Sequence, residues 1–187
     1  PVLPLLSPIA CATVGRAQVG TFSINGIESS VGVPDDWIEF TNTGTTTINV
    51  SGWKVLDNDN NHAFYVFPQG STIPPKGFLV VDIATSFGLG SADSVRLFTP
   101  DVTDNTSTPY EVYSWTSHAS TTYGRCPDGT GAFITTTSST KGTANDCSAP
   151  LNINEVKLSG ASFNAWVEIF NHGDVAANIA GYVLKDN

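Results

Sequence analysis

Asp57-Asn58-Asp59-Asn60-Asn61 places carboxylate and amide oxygens at alternate positions, as the opening of a calcium loop does. Asp57, Asp59 and Asn61 are therefore the candidate ligands for a divalent cation. An EF-hand needs Gly at the sixth position and Glu at the twelfth, where this chain has His62 and Pro68. The competing reading is a solvated turn, which Asn and Asp favour. His118 follows Ser117, with Ser114 nearby. A Ser/His/Asp triad is assembled in space, so one sequence leaves it open. There is no G-x-S-x-G elbow, however, and a single His in a Thr/Ser-rich segment reads more simply as a loop or cap residue. Glu39 and Glu168 stand in matching surroundings beside Trp37 and Trp166. In separate units they do not face one cleft, as glycoside hydrolysis requires. Glu39 reads instead as a strand carboxylate, hydrogen-bonded to a neighbouring loop or paired with Arg96 or Arg125. No catalytic residue and no cofactor site is assigned.

Of the three cysteines, Cys126 and Cys147 form an even pair in what reads as an exported chain, so a disulfide between them is expected. Closing that loop is worth about 3 kcal/mol by the chain-entropy argument. Only His118 lies near Cys126, which disfavours a metal there. Trp37, Trp53, Tyr65, Tyr110, Tyr113 and Trp115 could stack on sugar faces if exposed; a β-sandwich core needs aromatics of its own, which is the alternative.

Charged residues are 13% of the chain, about half the usual quarter, and the net charge is −9. An acidic surface repels phosphate backbones, and the basic residues are scattered, so nucleic-acid binding through a basic patch is disfavoured. The opening run PVLPLLSPIACA is short and apolar and ends in Ala10-Cys11-Ala12, like the tail of a secretory signal with its small-residue cleavage site. Cys11 could instead carry a lipid, and a plain apolar arm is a third reading. The run is too short to cross a bilayer as a helix. Export to a secreted or cell-surface location is expected.

No stretch keeps the helical apolar period. Short β-branched and aromatic runs recur between Gly, Pro, Asn and Asp instead. Strands are expected at Thr21–Glu28, Trp37–Asn42, Thr47–Leu56, Ala63–Phe67, Phe78–Ile83, Ser94–Phe98, Glu111–Trp115 and Ala132–Thr135. Alternation at Ile38/Phe40 and Val95/Leu97 points to a sheet with one buried face. Phe78-Leu79-Val80-Val81, apolar throughout, is expected to be a central strand. These elements predict an all-β, immunoglobulin-like sandwich.

The chain then begins to repeat. Residues 24–58 align without a gap on 153–187, Trp37 meeting Trp166 at an offset of 129, and 11 of the 35 positions are identical. A second unit is therefore expected to start near Leu151 and to be cut off at Asn187. The expected division is a signal remnant or arm (1–20), a complete domain (21–147), a linker (148–150) and the truncated start of a second copy (151–187). That second part is expected to expose Val167, Ile169 and Val183, and to be ill-ordered or to pack opportunistically.

The succession Trp37-Ile38-Glu39-Phe40-Thr41-Asn42, Ser51-Gly52-Trp53-Lys54-Val55-Leu56-Asp57, Gly77-Phe78-Leu79-Val80-Val81, Asp93-Ser94-Val95-Arg96-Leu97-Phe98 and Tyr123-Gly124-Arg125-Cys126-Pro127-Asp128-Gly129 resembles the lamin tail domain, in the version found in secreted bacterial proteins. The resemblance runs over roughly Thr21–Cys147 and resumes at Leu151. It implies an immunoglobulin-like sandwich without catalytic residues, used for adhesion, targeting or interaction. The partner would be a protein, a glycan or another cell-surface ligand, with a neighbouring tandem domain. Two further functions are expected as alternatives. One is an accessory domain of a secreted nuclease- or phosphatase-type hydrolase whose catalytic domain lies beyond residue 187. The other is a surface module stabilised by a divalent cation.

Overall fold

The computed structural model describes residues 21–30, 36–148, 151–158, 165–171, 173, 176–177 and 179–185. The Ala10-Cys11-Ala12 signal reading, Ala149 and Pro150 of the expected linker, and the repeated Asp186-Asn187 lie outside them. The described residues hold strands and no helix. In chain order the strands are β1 (Phe22–Glu28), β2 (Trp37–Asn42), β3 (Ile48–Asn49), β4 (Lys54–Leu56), β5 (Tyr65–Val66), β6 (Thr72–Ile73), β7 (Phe78–Asp82), β8 (Asp93–Phe98), β9 (Glu111–Trp115), β10 (Tyr123–Cys126), β11 (Ala132–Thr135), β12 (Leu151–Lys157) and β13 (Trp166–Asn171).

One layer is a five-stranded sheet in the order β11-β10-β1-β2-β7, and the other is β5-β4-β8-β9; β3 and β6 pair separately. Ile24, Ile27, Ile38 and Phe40 of the first layer and Val55, Val95, Leu97 and Trp115 of the second share one buried cluster. All the pairings are antiparallel. This is the immunoglobulin-like sandwich the alternation predicts. Phe22 sits at its centre, its ring edge-on to Trp53 at 4.8 Å and tilted against Phe40 at 5.5 Å.

A β-bulge sets the geometry of the first layer. The register of β1 on β2 shifts between Ile24 and Gly26, leaving Asn25 as the extra residue. Strict alternation would send Ile24 and Ile27 to opposite faces; the bulge lets both reach the core and aims the Asn25 amide at the other face. Gly26 lies opposite Glu39, where an added Cβ would stand 3.2 Å from the Trp37 ring. The missing side chain there is what lets Trp37 lie over the strand.

Three expectations need correcting. Phe78–Asp82 forms the edge of its sheet, not the centre, and Phe78, Leu79 and Val80 are only half-buried. A continuous apolar run marks burial on both sides but not position in the order. The expected single buried face also fails at β2, where all six residues are buried. Its outer face is roofed by the segment after β11, where the Lys141 ammonium lies 5.8 Å from the Trp37 ring and 2.5 Å from Asp82 Oδ1. Thr47–Leu56 divides into β3 and β4, because Gly52 adopts φ 77° and the Trp53 N–H donates to the Val50 carbonyl at 3.2 Å, turning the chain between the layers.

β12 and β13 form a separate hairpin. Val167, Ile169 and Val183 are exposed, and the strands pair over six register positions.

Candidate functional site

The densest polar chemistry lies on the outer face of the five-stranded sheet. Asn25, held out by the bulge, donates from Nδ2 to Glu39 Oε1 and to Asp128 Oδ1, both at 2.9 Å. Its Oδ1 accepts the Gly129 N–H at 2.8 Å. Glu39 Oε2 accepts the Gly142 N–H at 2.7 Å. Asn145 donates its backbone N–H to Asp128 Oδ1 at 3.0 Å and its amide to the carbonyls of Asn25 and Arg125 at 2.9 and 3.1 Å. A few residues on, Cys147 is disulfide-bonded to Cys126, with Cα atoms 5.5 Å apart. Bulge, turn and return segment thus form one polar knot, with the 140–147 segment strapped across β1 and β2. Burial pushes the Glu39 carboxyl up from 4.5 to about 7, against the lowering effect of its two hydrogen bonds. Glu39 uses a neighbouring loop, one of its two expected roles. Arg125 turns instead to Glu111, with Nη2 2.5 Å from Oε1, while its Nε donates to the Ile24 carbonyl and its guanidinium lies 4.5 Å from the Phe133 ring.

The Asp57–Asn61 segment is a tight turn with its oxygens committed to the chain. Asp57 Oδ1 accepts the Asp59 N–H at 3.1 Å, and Asp59 Oδ1 accepts both the backbone and side-chain N–H groups of Asn61 at 2.8 Å. The two Asx bonds account for the alternating pattern. Asp57 Oδ2 lies 2.7 Å from His62 Nδ1. That hydrogen bond raises the His62 pKa, and burial raises that of Asp57 despite the same bond. Nearby Asp93 Oδ1 accepts the Asn58 N–H, and Arg96 Nε donates to the Asp57 carbonyl. Among the described residues no group of three or more His, Cys, Asp or Glu is placed to hold a metal ion.

His118 pairs with a hydroxyl remote in sequence, not with Ser114 or Ser117. Its Nδ1 lies 2.9 Å from the hydroxyl of buried Ser29, across 89 residues of sequence. Sequence reasoning missed this pair because nothing local marks it. The aromatics divide toward the core: Trp37, Trp53 and Trp115 are buried, while Tyr65, Tyr110 and Tyr113 pack partly buried against the cluster. Tyr113 stacks on Phe133 at 3.9 Å, joining the layers, and burial pushes its phenol up to about 12.

The opposite kind of surface appears at the C-terminal hairpin, where Leu151, Ile153, Ile169, Ile179, Tyr182 and Leu184 line an open apolar hollow. Among the described residues no third strand pairs with either β12 or β13.

Two comparisons bear on identity. No curated protein matches the chain. The sequence profile of the Lamin Tail Domain matches residues 16–126, which takes in β1 to β10 and leaves β11 and the strap outside the matched range. That match covers more than half of the chain, in the sandwich just described, and the chain belongs to the lamin tail domain family.

Proposed function

We propose that this chain works as a non-catalytic binding or spacing module of an exported multidomain protein, adjacent to another unit of its own kind. The observation that carries the reading is where its reactive groups are spent. Glu39, Asp128 and Asn145 hold a strap to a strand, and Asp57, Asp59 and His62 hold a turn. The Cys126–Cys147 bond supports export, since such bonds persist in oxidising compartments. The partner surface is a protein, a glycan or a cell-envelope component, with nucleic acid disfavoured by the −9 charge.

The test is a binding screen of the purified chain on glycan, lipid, cell-wall and extracellular-protein arrays, with phosphodiester and ester hydrolysis measured on the same sample. Specific retention on one array is expected. Turnover lost in both Ser29→Ala and His118→Ala would overturn the reading in favour of a hydrolase. As a spacer, the same module would present a neighbouring hydrolase domain by position alone.

A further inference from the structure

The exposed apolar face of the β12–β13 hairpin has an unusual witness to what it fits, because the complete domain displays the same hairpin covered. All six register pairs of β12 on β13 are the β1–β2 pairs displaced by 129 residues, from Phe22↔Asn42 and Leu151↔Asn171 to Glu28↔Trp37 and Lys157↔Trp166. The bulge recurs between Ile153 and Glu155, where β1 has it between Ile24 and Gly26. Asn154 at that bulge donates its amide to Glu168 Oε1, as Asn25 does to Glu39. The Gly173 N–H donates to Asn171 Oδ1 at 3.0 Å, matching Gly44 on Asn42 at 2.9 Å. Gly181 has φ 90° against 77° at Gly52, and the Tyr182 N–H donates to the Ile179 carbonyl at 3.2 Å, as Trp53 does to Val50.

What differs is the cover. Ile24, Phe40 and Trp53 are 0%, 0% and 6% exposed, while their counterparts Ile153, Ile169 and Tyr182 are 60%, 40% and 62% exposed. In the complete domain the free edge of β2 is taken by β7, with Ile38↔Val81 and Phe40↔Leu79, and the free edge of β1 by β10, with Gly26↔Gly124. The inner face is covered by Val55, Val95 and Leu97, and the Asn25 amide by Asp128 and Gly129.

We infer that β12, β13 and residues 179–184 form a docking surface for polypeptide strands of the lamin-tail type. A β7-like strand would pair with β13 along Val167–Ile169. A β10-like strand ending in an Asp-Gly turn would pair with β12 and close on Asn154, and a β4/β8-like layer would cover Ile153, Ile169, Ile179 and Tyr182. The inference rests on the tandem part of the proposed function and specifies its geometry. Strand addition suits the site because main-chain bonds supply affinity along each free edge while alternate apolar side chains supply register.

The test uses the whole chain. Asp57-Asn58 recurs as Asp186-Asn187, so residues 59–147 appended after Asn187 continue the chain in register with the first unit. Amide hydrogen exchange over 151–157 and 166–171 is then compared in the 187-residue protein and the extended one. Protection at least about 100-fold stronger in the extended protein, with a second disulfide, is the expected result. In parallel, the labelled 187-residue chain is titrated with a synthetic peptide of residues 76–84, the β7 sequence. Resonance shifts confined to β13, absent with a scrambled peptide, support the docking surface even if the appended half fails to fold. Unchanged exchange together with no peptide-specific shift overturns it. So does a chain that sediments as a dimer with its hairpin already protected, which would make a second copy the occupant. Array binding leaves these exchange rates untouched, so the docking surface and the module reading fail separately.

Discussion

Glu39 supplies a sharp test of how the strap is held. Its carboxyl is 1% exposed, receives N–H groups from Asn25 and Gly142, and is pushed by burial from 4.5 to about 7. An acid whose pKa rises on folding is bound more tightly to its proton in the native state. Its contribution to stability is therefore whole below pH 4.5 and declines as pH rises through about 7. At about 1.4 kcal/mol per pH unit, the span from 4.5 to about 7 amounts to about 3 kcal/mol. That is roughly 10 °C in Tm for a domain of this size. Urea unfolding under oxidising conditions, followed by near-UV circular dichroism from pH 4.5 to 8, reads it directly. Glu39→Gln removes the ionisation and turns one acceptor into a donor facing an N–H. Against the protonated wild type it therefore costs about 1 kcal/mol at pH 4.5, and it flattens the slope between pH 4.5 and 7, so that the variant overtakes wild type as Glu39 ionises. Asp57 and His62 titrate identically in both proteins and drop out of the difference. Parallel wild-type and Glu39→Gln curves across that window would refute the argument, because the buried carboxyl would then not be the group that titrates.

Three other outcomes follow from contacts on the same scaffold. Cys147→Ser opens a loop with a sequence separation of 21 and should cost about 3 kcal/mol in urea unfolding. Hydrogen exchange should also quicken over 140–147 before it quickens in β1 or β2. Arg125→Lys keeps the charge but loses the fork that serves the Ile24 and Gly131 carbonyls and Glu111 at once. A loss of about 2 kcal/mol is expected, with methionine at that position no better, because the two carbonyls stay unpaired in both. The pairing of His62 with Asp57 raises its pKa, so that contribution is whole below pH 6.5 and fades as pH rises through the folded value. His62→Gln should lessen the fall in stability that wild type shows above pH 6.5, leaving the part that Glu39 supplies, and an undiminished fall in the variant would assign it elsewhere.

The strands were legible where the sequence speaks locally. Trp37–Asn42, Glu111–Trp115 and Ala132–Thr135 could be placed to the residue, because β-branched and aromatic runs end at clear turn residues. Tyr123–Cys126 escaped notice because Gly124 and Arg125 dilute its apolar pattern. Glycine is needed there for a reason no local signal carries: a Cβ would stand 2.6 Å from Thr136 Cγ2 and 2.8 Å from the Asn145 amide. The bulge at Asn25 escaped for the same reason, since only the pairing of Ile24 and Ile27 in the core reveals it. Ser29 and His118 meet because β1 and the turn after β9 end on the same side of the sandwich. By contrast, the alternating oxygens of Asp57–Asn61 were visible at once and pointed two ways. The backbone N–H groups within the turn fit the turn reading, since they donate to Oδ1 of Asp57 and of Asp59.

The strap also determines how the domain would carry tension. The chain enters the sandwich at Phe22 on β1 and leaves past Cys147, which is bonded to Cys126 at the end of β10. β1 and β10 are antiparallel neighbours, with Gly26 opposite Gly124, so entry and exit lie at the same end of the pair. A pull on the two flanking chains would therefore peel these strands apart one bond at a time instead of shearing them. The Arg125–Ile24 bond, the Asp128–Asn25 bond and the Asn145–Asn25 bond all cross at that mouth. A string of such modules would yield first at this clasp, and its mechanical threshold would be set by hydrogen bonds to the backbone and amide of two adjacent residues.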